Sequence, residues 1–270
     1  MVEYHRLFNV ITVRRFLVAV ILITMLVPMK LLAEQSSVPE EKATISQVLL
    51  ATGTRYSPYV DPRLPGGGWS VSVISAVFKQ VNMTTRLEEF PWSRVLANTK
   101  IKVHDGAFPF VATEKRRNDF YYSDPINYVP IKIIANKNVN ASTVAALKNY
   151  TFCLPYGYSS ATEFLTVLTP KNTTHAPSTR DCLNKVTNGW ADIALLNQYS
   201  EILHEKRYAQ LKLLPISVQK EPLHFIVAKS HPQGKALITL FNQGLSAIKQ
   251  NQLLDEINKQ YELLLTTPLN

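Results

Sequence analysis

Two hydrophobic periods alternate along this chain. An apolar, β-prone run at Ile45 to Ala51 gives way to TGTRYSPYVDPRLPGGG, whose prolines and three consecutive glycines exclude regular structure. Val71, Ile74, Phe78 and Val81 then recur at helical spacing, which predicts a helix opening directly after Gly66-Gly67-Gly68. A strand at Arg86 to Phe90, a helix from Pro91-Trp92, a strand around Asp105 to Phe110, an aromatic strand from Phe120 and an apolar strand at Ile131 to Ala135 follow. This β-α-β-α-β order predicts an α/β layer with a mostly parallel sheet, and such sheets bind ligands at the carboxyl ends of their strands.

The pattern then restarts. It predicts a strand at Tyr150 to Leu154, a loop PYGYSS, a helix from Ala161, a loop from Pro170 to Pro177 and a helix at Ser178 to Asn188. Strands at Asp192 to Leu196, Leu211 to Leu214 and Leu223 to Ala228 come next. Leu237, Leu240, Phe241, Gly244, Leu245 and Ile248 form one helical stripe, and Leu254, Ile257, Tyr261 and Leu264 form another. Units of roughly 90 residues are small for independent cores, so the two C-terminal helices are expected to cross back and complete the first. The expected fold class is α/β, with two lobes joined by a two-strand hinge. Lobe 1 takes residues 44–132 and 228–266, and lobe 2 takes residues 136–224. Ligand sites favour the cleft between such lobes, and hinge closure is a known mode for this geometry.

At 270 residues and 46% hydrophobic, the chain can bury a real core. Its start is different: Arg14-Arg15 precede an unbroken apolar run from Phe16 to Pro28, ending near Leu31-Leu32-Ala33. This has the form of a secretory signal cut near Ala33. A membrane anchor is the rival, but a spanning helix needs about 20 apolar residues, and this run is shorter and stops at a proline. Residues 1–33 are thus expected to be a signal peptide and residues 34–43, EQSSVPEEKA, a flexible lead-in. Removal of residues 1–33 takes Arg6, Arg14, Arg15, Lys30 and Glu3 away and lowers the formal charge of +9 by three. The remaining positive charge is spread out, without the clustered stripe that nucleic-acid binding asks for. It is compatible with anionic small ligands. The two cysteines, Cys153 and Cys182, lack CxxC spacing and a companion histidine set. In an exported chain they are expected to form one disulfide.

Candidate chemistry concentrates at Asp105 to Pro125, DGAFPFVATEKRRNDFYYSDP. Lys115-Arg116-Arg117 sits between the aromatics Phe108 and Phe110 and the cluster Phe120-Tyr121-Tyr122. A guanidinium fork fits a carboxylate or phosphate bidentately, and aromatic walls that exclude water strengthen the contact. The competing reading is a basic turn on a solvated face beside a packing strand. Catalytic signatures are weak. The six histidines are scattered with no HExxH, there is no GxSxG, and GGGW lacks both P-loop and dinucleotide spacing. Glu88 and Glu89 are adjacent on a strand and face opposite sides. No catalytic residue, metal or cofactor is expected.

Four segments in order, Tyr56-Ser57-Pro58-Tyr59, TEKR with FYYSDP at Thr113 to Pro125, Gly157 to Ser160, and NGWADIALLN at Asn188 to Asn197, carry a resemblance. With the C-terminal FN..L..IKQN...DEI...Y, the chain resembles the periplasmic substrate-binding proteins of the polar amino-acid type, the bacterial extracellular solute-binding proteins of family 3, over about Gln47 to Tyr261. The resemblance implies a type II bilobal fold in the periplasm, a monomer that binds a small carboxylate ligand for a membrane permease or a sensor partner. It assigns Arg116 to the ligand's carboxylate and the Gly157-Tyr158-Ser159 turn, with a helix from about Ser160, to the same anion. Tyr56 and Trp92 match the aromatics that pack on the ligand's body. Phe108 and Phe110 stand where relatives place polar contacts, and Asn197 stands where they place the acid that pairs with an α-ammonium. An amide binds an ammonium ion less strongly than a carboxylate does. The expected ligand is therefore an amino acid or a similar carboxylate with an apolar body, its amine only weakly held. Two alternatives stand beside the binder: a lyase of the same fold acting on a small carboxylic acid, and a ligand-sensing module.

Overall fold

The computed structural model describes residues 46–158, 163–200, 205–218 and 220–266. The expected signal peptide and lead-in lie outside the described residues, as do Ser159 and Ser160. The first half of the chain runs β1 (Gln47–Gly53), α1 (Trp69–Gln80), β2 (Thr84–Phe90), α2 (Trp92–Lys100), β3 (Gly106–Val111), α3 (Glu114–Arg117), β4 (Phe120–Val129) and β5 (Ile131–Ala135). The second half runs β6 (Phe152–Pro155), β7 (Thr173–Ala176), α4 (Thr179–Thr187), β8 (Ile193–Asn197), β9 (Lys212–Leu213), β10 (Glu221–Ala228), α5 (Gly234–Gln250) and α6 (Leu253–Thr266).

These elements make two five-stranded α/β sheets. The first has the order β2-β1-β3-β10-β4, with β1 parallel to β2 and β3, and β10 antiparallel to β3 and β4. The second has the order β7-β6-β8-β5-β9, with β6 parallel to β7 and β8, and β5 antiparallel to β8 and β9. The chain passes from the first sheet to the second at Pro130 and returns between β9 and β10.

Burial explains why the C-terminal stripes are helical. Leu237, Phe241, Leu245, Ile248 and Tyr261 join Val73, Val77 and Phe78 of α1 in one core on the first sheet. Phe78, Phe225 and Phe241 meet there with ring centroids 4.7 to 5.6 Å apart. Aromatic burial of this kind supplies both area and favourable ring geometry. The opposite face of that sheet packs Ala51, Ala107, Phe110, Phe120 and Ile226 against Val95 of α2. In the second sheet, Ile133, Phe152, Ile193 and Leu195 form one face, and Ile134, Ala194 and Leu196 pack with α4 on the other. Cys153 of β6 and Cys182 of α4 are joined by a disulfide with a Cα–Cα distance of 5.2 Å. No described helix is long and apolar enough to cross a membrane.

Three details differ from the sequence reading. Thr173–Ala176 is a strand, not part of a loop; it is a short polar edge strand, for which hydrophobic alternation is a poor signal. Where a helix from Ala161 was expected, the described residues hold only a 3-10 turn at Glu163–Thr166. Residues 221–224 pair with β4 in the first sheet although the expected division gives them to lobe 2, while Ile131 and Lys132 pair with β8. Pro222 and the charged Glu221 hide the true start of β10 from a reading based on apolar runs.

Candidate functional site

A cavity of about 870 Å3 lies between the two sheets' strand ends. Its lobe 1 wall comes from residues 54–57 and 60–63 after β1 and from Glu89, Pro91 and Trp92 after β2. The lobe 2 wall comes from Pro155 and Tyr158 after β6, from 177–180 after β7, and from Leu196, Asn197 and Ser200 at the end of β8. Each contribution sits at the carboxyl end of a strand, where an open α/β sheet leaves backbone groups and side chains free to meet a ligand.

Three rings form one end of the cavity. Tyr56 and Trp92 have centroids 5.4 Å apart at 80°, Tyr56 and Tyr158 5.9 Å apart at 83°, and Trp92 and Tyr158 5.9 Å apart at 86°. Mutually perpendicular rings place positive edges on negative faces, the favourable arrangement for aromatic contacts. The Trp92 ring lies directly on Gly53, where an added Cβ would come within 2.4 Å of three ring atoms. Burial pushes the Tyr158 phenol up to about 12 and raises Tyr56 well above its ordinary value, so both are neutral donors at physiological pH.

Arg116 stands behind this aromatic end. Its backbone N–H is capped by Thr113 Oγ1 at 3.3 Å, which turns the side chain inward while Lys115 and Arg117 stay exposed. Nη1 donates to Val111 O at 2.8 Å and Nη2 donates to Gly157 O at 2.6 Å. The guanidinium also sits 5.4 Å from the centre of the Phe110 ring, within the range of a cation–π contact. Desolvation lowers its pKa, while Tyr122 and Glu221 favour the charged form. A guanidinium is basic enough that Arg116 stays a cation despite this.

Asn197 reaches the other way. Its Nδ2 donates to Ser57 O of lobe 1 at 3.0 Å, and its Oδ1 accepts from Tyr199 N at 2.8 Å. The expected site residues Tyr56, Trp92, Tyr158 and Asn197 thus line the cavity, whereas Arg116 and Phe110 lie just beyond it. Phe108 is a correction. It is fully buried in the core with Phe78 and Phe241, on the sheet face opposite Phe110, so its side chain does not reach the cleft. The cause is a break in pairing: β10 advances two residues from His224 to Ile226 while β3 retreats three, from Phe110 to Ala107. The extra residue places Phe108 and Phe110 on opposite faces, which strict alternation forbids.

The sequence reading missed the charged lining. Asp61 is buried and accepts from Arg63 at 2.7 and 2.9 Å, and this bonding holds its carboxyl below the usual range. Arg180 forks onto Glu205 with two contacts of 2.6 Å. Arg55 and Glu89 add one charge of each sign. The strand-end rule, applied to every strand, was the signal that could have found them. Among the described residues, no group of three or more His, Cys, Asp or Glu side chains is placed to hold a metal ion.

Comparisons with known proteins bear on the family and the fold. The family model for bacterial extracellular solute-binding proteins, family 3, matches residues 49–263. No curated protein sequence matches the chain significantly. A histidine kinase sensor domain with similarity to periplasmic binding proteins has a TM-score of 0.65 at 19% identity, covering 79% of this chain and 95% of its own. An ancestral arginine-binding protein bound to arginine scores 0.64 at 16% identity, covering 80% and 97%. The amino acid ABC transporter substrate-binding protein AbpA of Streptococcus pneumoniae, bound to L-arginine, scores 0.63 at 15% identity, covering 83% and 97%. At these identities the likeness is one of fold, and the family model spans most of the chain. The chain belongs to the bacterial extracellular solute-binding proteins, family 3.

Proposed function

We propose that this protein works in the periplasm, after removal of an N-terminal signal peptide, by closing its two lobes around a small carboxylate-bearing ligand. The ligand is an amino acid or amino-acid-like molecule, delivered to an ABC-type permease without chemical change. The reading is carried by one observation: a buried, cationic Arg116 beside a three-ring aromatic wall at the end of an inter-lobe cavity. A ligand carboxylate would accept from the guanidinium N–H groups that Val111 O and Gly157 O leave over, and a charge-assisted bond of this kind is roughly twice as strong as a neutral one. Tyr56, Trp92 and Tyr158 would pack on the ligand's body. Asn197 would offer an amide where an ammonium ion is best met by a carboxylate. Among the described residues of the cavity wall, no carboxylic acid is placed as an isolated general acid, since Asp61 is ion-paired and Glu89 is exposed. This favours binding over turnover.

A thermal-shift screen of the chain against amino acids, their desamino analogues and other small carboxylates tests the reading. A ligand at about 100 times its Kd adds about 2.7 kcal/mol to stability. Carboxylates from both series are expected to raise the melting temperature, to be recovered unchanged, and to lose their effect in Arg116→Ala. A response to amino acids with none to their desamino analogues would show that the amine is required and overturn the weak-amine reading. The sensor-domain neighbour supports a second role for the same closure, reporting ligand state to a membrane partner. Copurification with a permease rather than a kinase would separate the two.

A further inference from the structure

We propose that Gly157 is the stop that sets how far the two lobes close, and with that the width of the cavity between them. Gly157 belongs to the lobe 2 turn after β6, yet the side on which a Cβ would stand faces lobe 1. A Cβ built on it would lie 2.8 Å from Ser93 N and 3.0 Å from both C and Cβ of Trp92. Real side chains essentially never approach backbone that closely, and two of the three atoms are backbone, which cannot swing away. The contacted atoms open α2, whose N-cap is Pro91 with no side-chain cap. Ser93 N–H is among the first-turn donors that have no partner inside the helix. A bare glycine Cα can sit over that end; anything larger must lift the lobe off it. The residue's φ of +81° is also in the left-handed region that glycine occupies freely.

The same residue is held in place by its carbonyl. Arg116 Nη2 of lobe 1 donates to Gly157 O at 2.6 Å, and Asn197 Nδ2 of lobe 2 donates to Ser57 O of lobe 1 at 3.0 Å. Each bond crosses the cleft from a side-chain donor to a backbone carbonyl, one in each direction. The closed position is thus fixed by contact at Gly157 and by two crossed bonds. Gly157 is a positioning residue in this account. The inference stands on lobe geometry and holds whichever ligand the cleft takes.

A matched pair of variants separates closure from backbone strain. Gly189 is also in lobe 2 with φ +73°, but a Cβ there meets nothing within 4 Å. Gly157→Ala and Gly189→Ala therefore impose similar left-handed strain, and only the first adds a clash across the cleft. By small-angle X-ray scattering, Gly157→Ala is expected to increase the radius of gyration relative to the parent chain, and Gly189→Ala to leave it unchanged while lowering the melting temperature. An unchanged radius in Gly157→Ala, or the same increase in Gly189→Ala, overturns the proposal. Should Gly157→Ala fail to fold by circular dichroism, Gly157→Asn adds the same Cβ with a residue that tolerates the left-handed region better. It is expected to expand, and a parent-like radius would equally overturn the proposal.

Discussion

Arg116 owes its position to a four-residue helix whose other basic members face water. Thr113 caps that turn, and the cap orients one side chain of the trio inward. In the sequence it was the family resemblance at TEKR that singled out Arg116, since the residues alone offered only a basic trio between aromatics, open to a site or a solvated turn. Phe108 was not legible, because the extra residue in β3 relative to β10 is a tertiary event with no mark in the local pattern. The residue opposite Phe110 across that irregularity is His224, which is buried and shares a bond of 2.7 Å between its Nδ1 and Ser123 O. Burial lowers its pKa from 6.5, and the nearby Arg117 adds to the effect. The folded protein thus binds fewer protons than the unfolded chain below that value, so His224 contributes stability at neutral pH that is lost as pH falls through 6.5 toward the lowered pKa. Melting temperatures between about pH 7 and pH 5 should fall less steeply in His224→Gln than in the parent. Parallel curves would assign the acid sensitivity to other groups.

Among the elements, those with long apolar stripes were readable and the short ones were not. α5 and α6 bury Leu237, Phe241, Leu245, Ile248 and Tyr261 at the spacing that predicted them. β7 escaped because a four-residue edge strand of threonine, histidine and alanine has little apolar alternation to display. The disulfide compensates for the small core around it. Cys153 and Cys182 are 29 residues apart and tie β6, an interior strand, to α4, the helix covering its face. In the chain-entropy model a loop of this size gives roughly 3 to 4 kcal/mol. Reduction should therefore lower the melting temperature markedly, and Cys153→Ser/Cys182→Ser should reproduce the loss with no further response to reductant. A melting temperature indifferent to reductant would mean that packing of Leu183 and Val186 holds α4 without the bond.

At the scale of the whole molecule, the α/β class and the bilobal plan follow from two runs of alternating strands and helices, and the inter-lobe cavity follows from where those strands end. The charged part of that cavity depends on pairings between distant segments, such as Arg180 with Glu205, and no local period announces them. Asn197 joins the two lobes and lines the cavity, so a single substitution can probe the amine half of the proposed recognition. Asn197→Asp replaces the Nδ2 donor by a carboxylate oxygen facing Ser57 O, which removes one crossing bond and sets two acceptors against each other. Closure should become weaker for every ligand. A bound α-ammonium would offset that loss by bridging the new carboxylate, whereas a desamino analogue has nothing to offer it. The measured quantity is the ratio of affinities for an amino acid and its desamino analogue by calorimetry. A gain of about 1.4 kcal/mol from the charge-assisted bond corresponds to a tenfold rise in that ratio. A ratio equal to that of the parent would place the ligand's amine away from residue 197 and leave the exposed Glu89 as the carboxylate to test next.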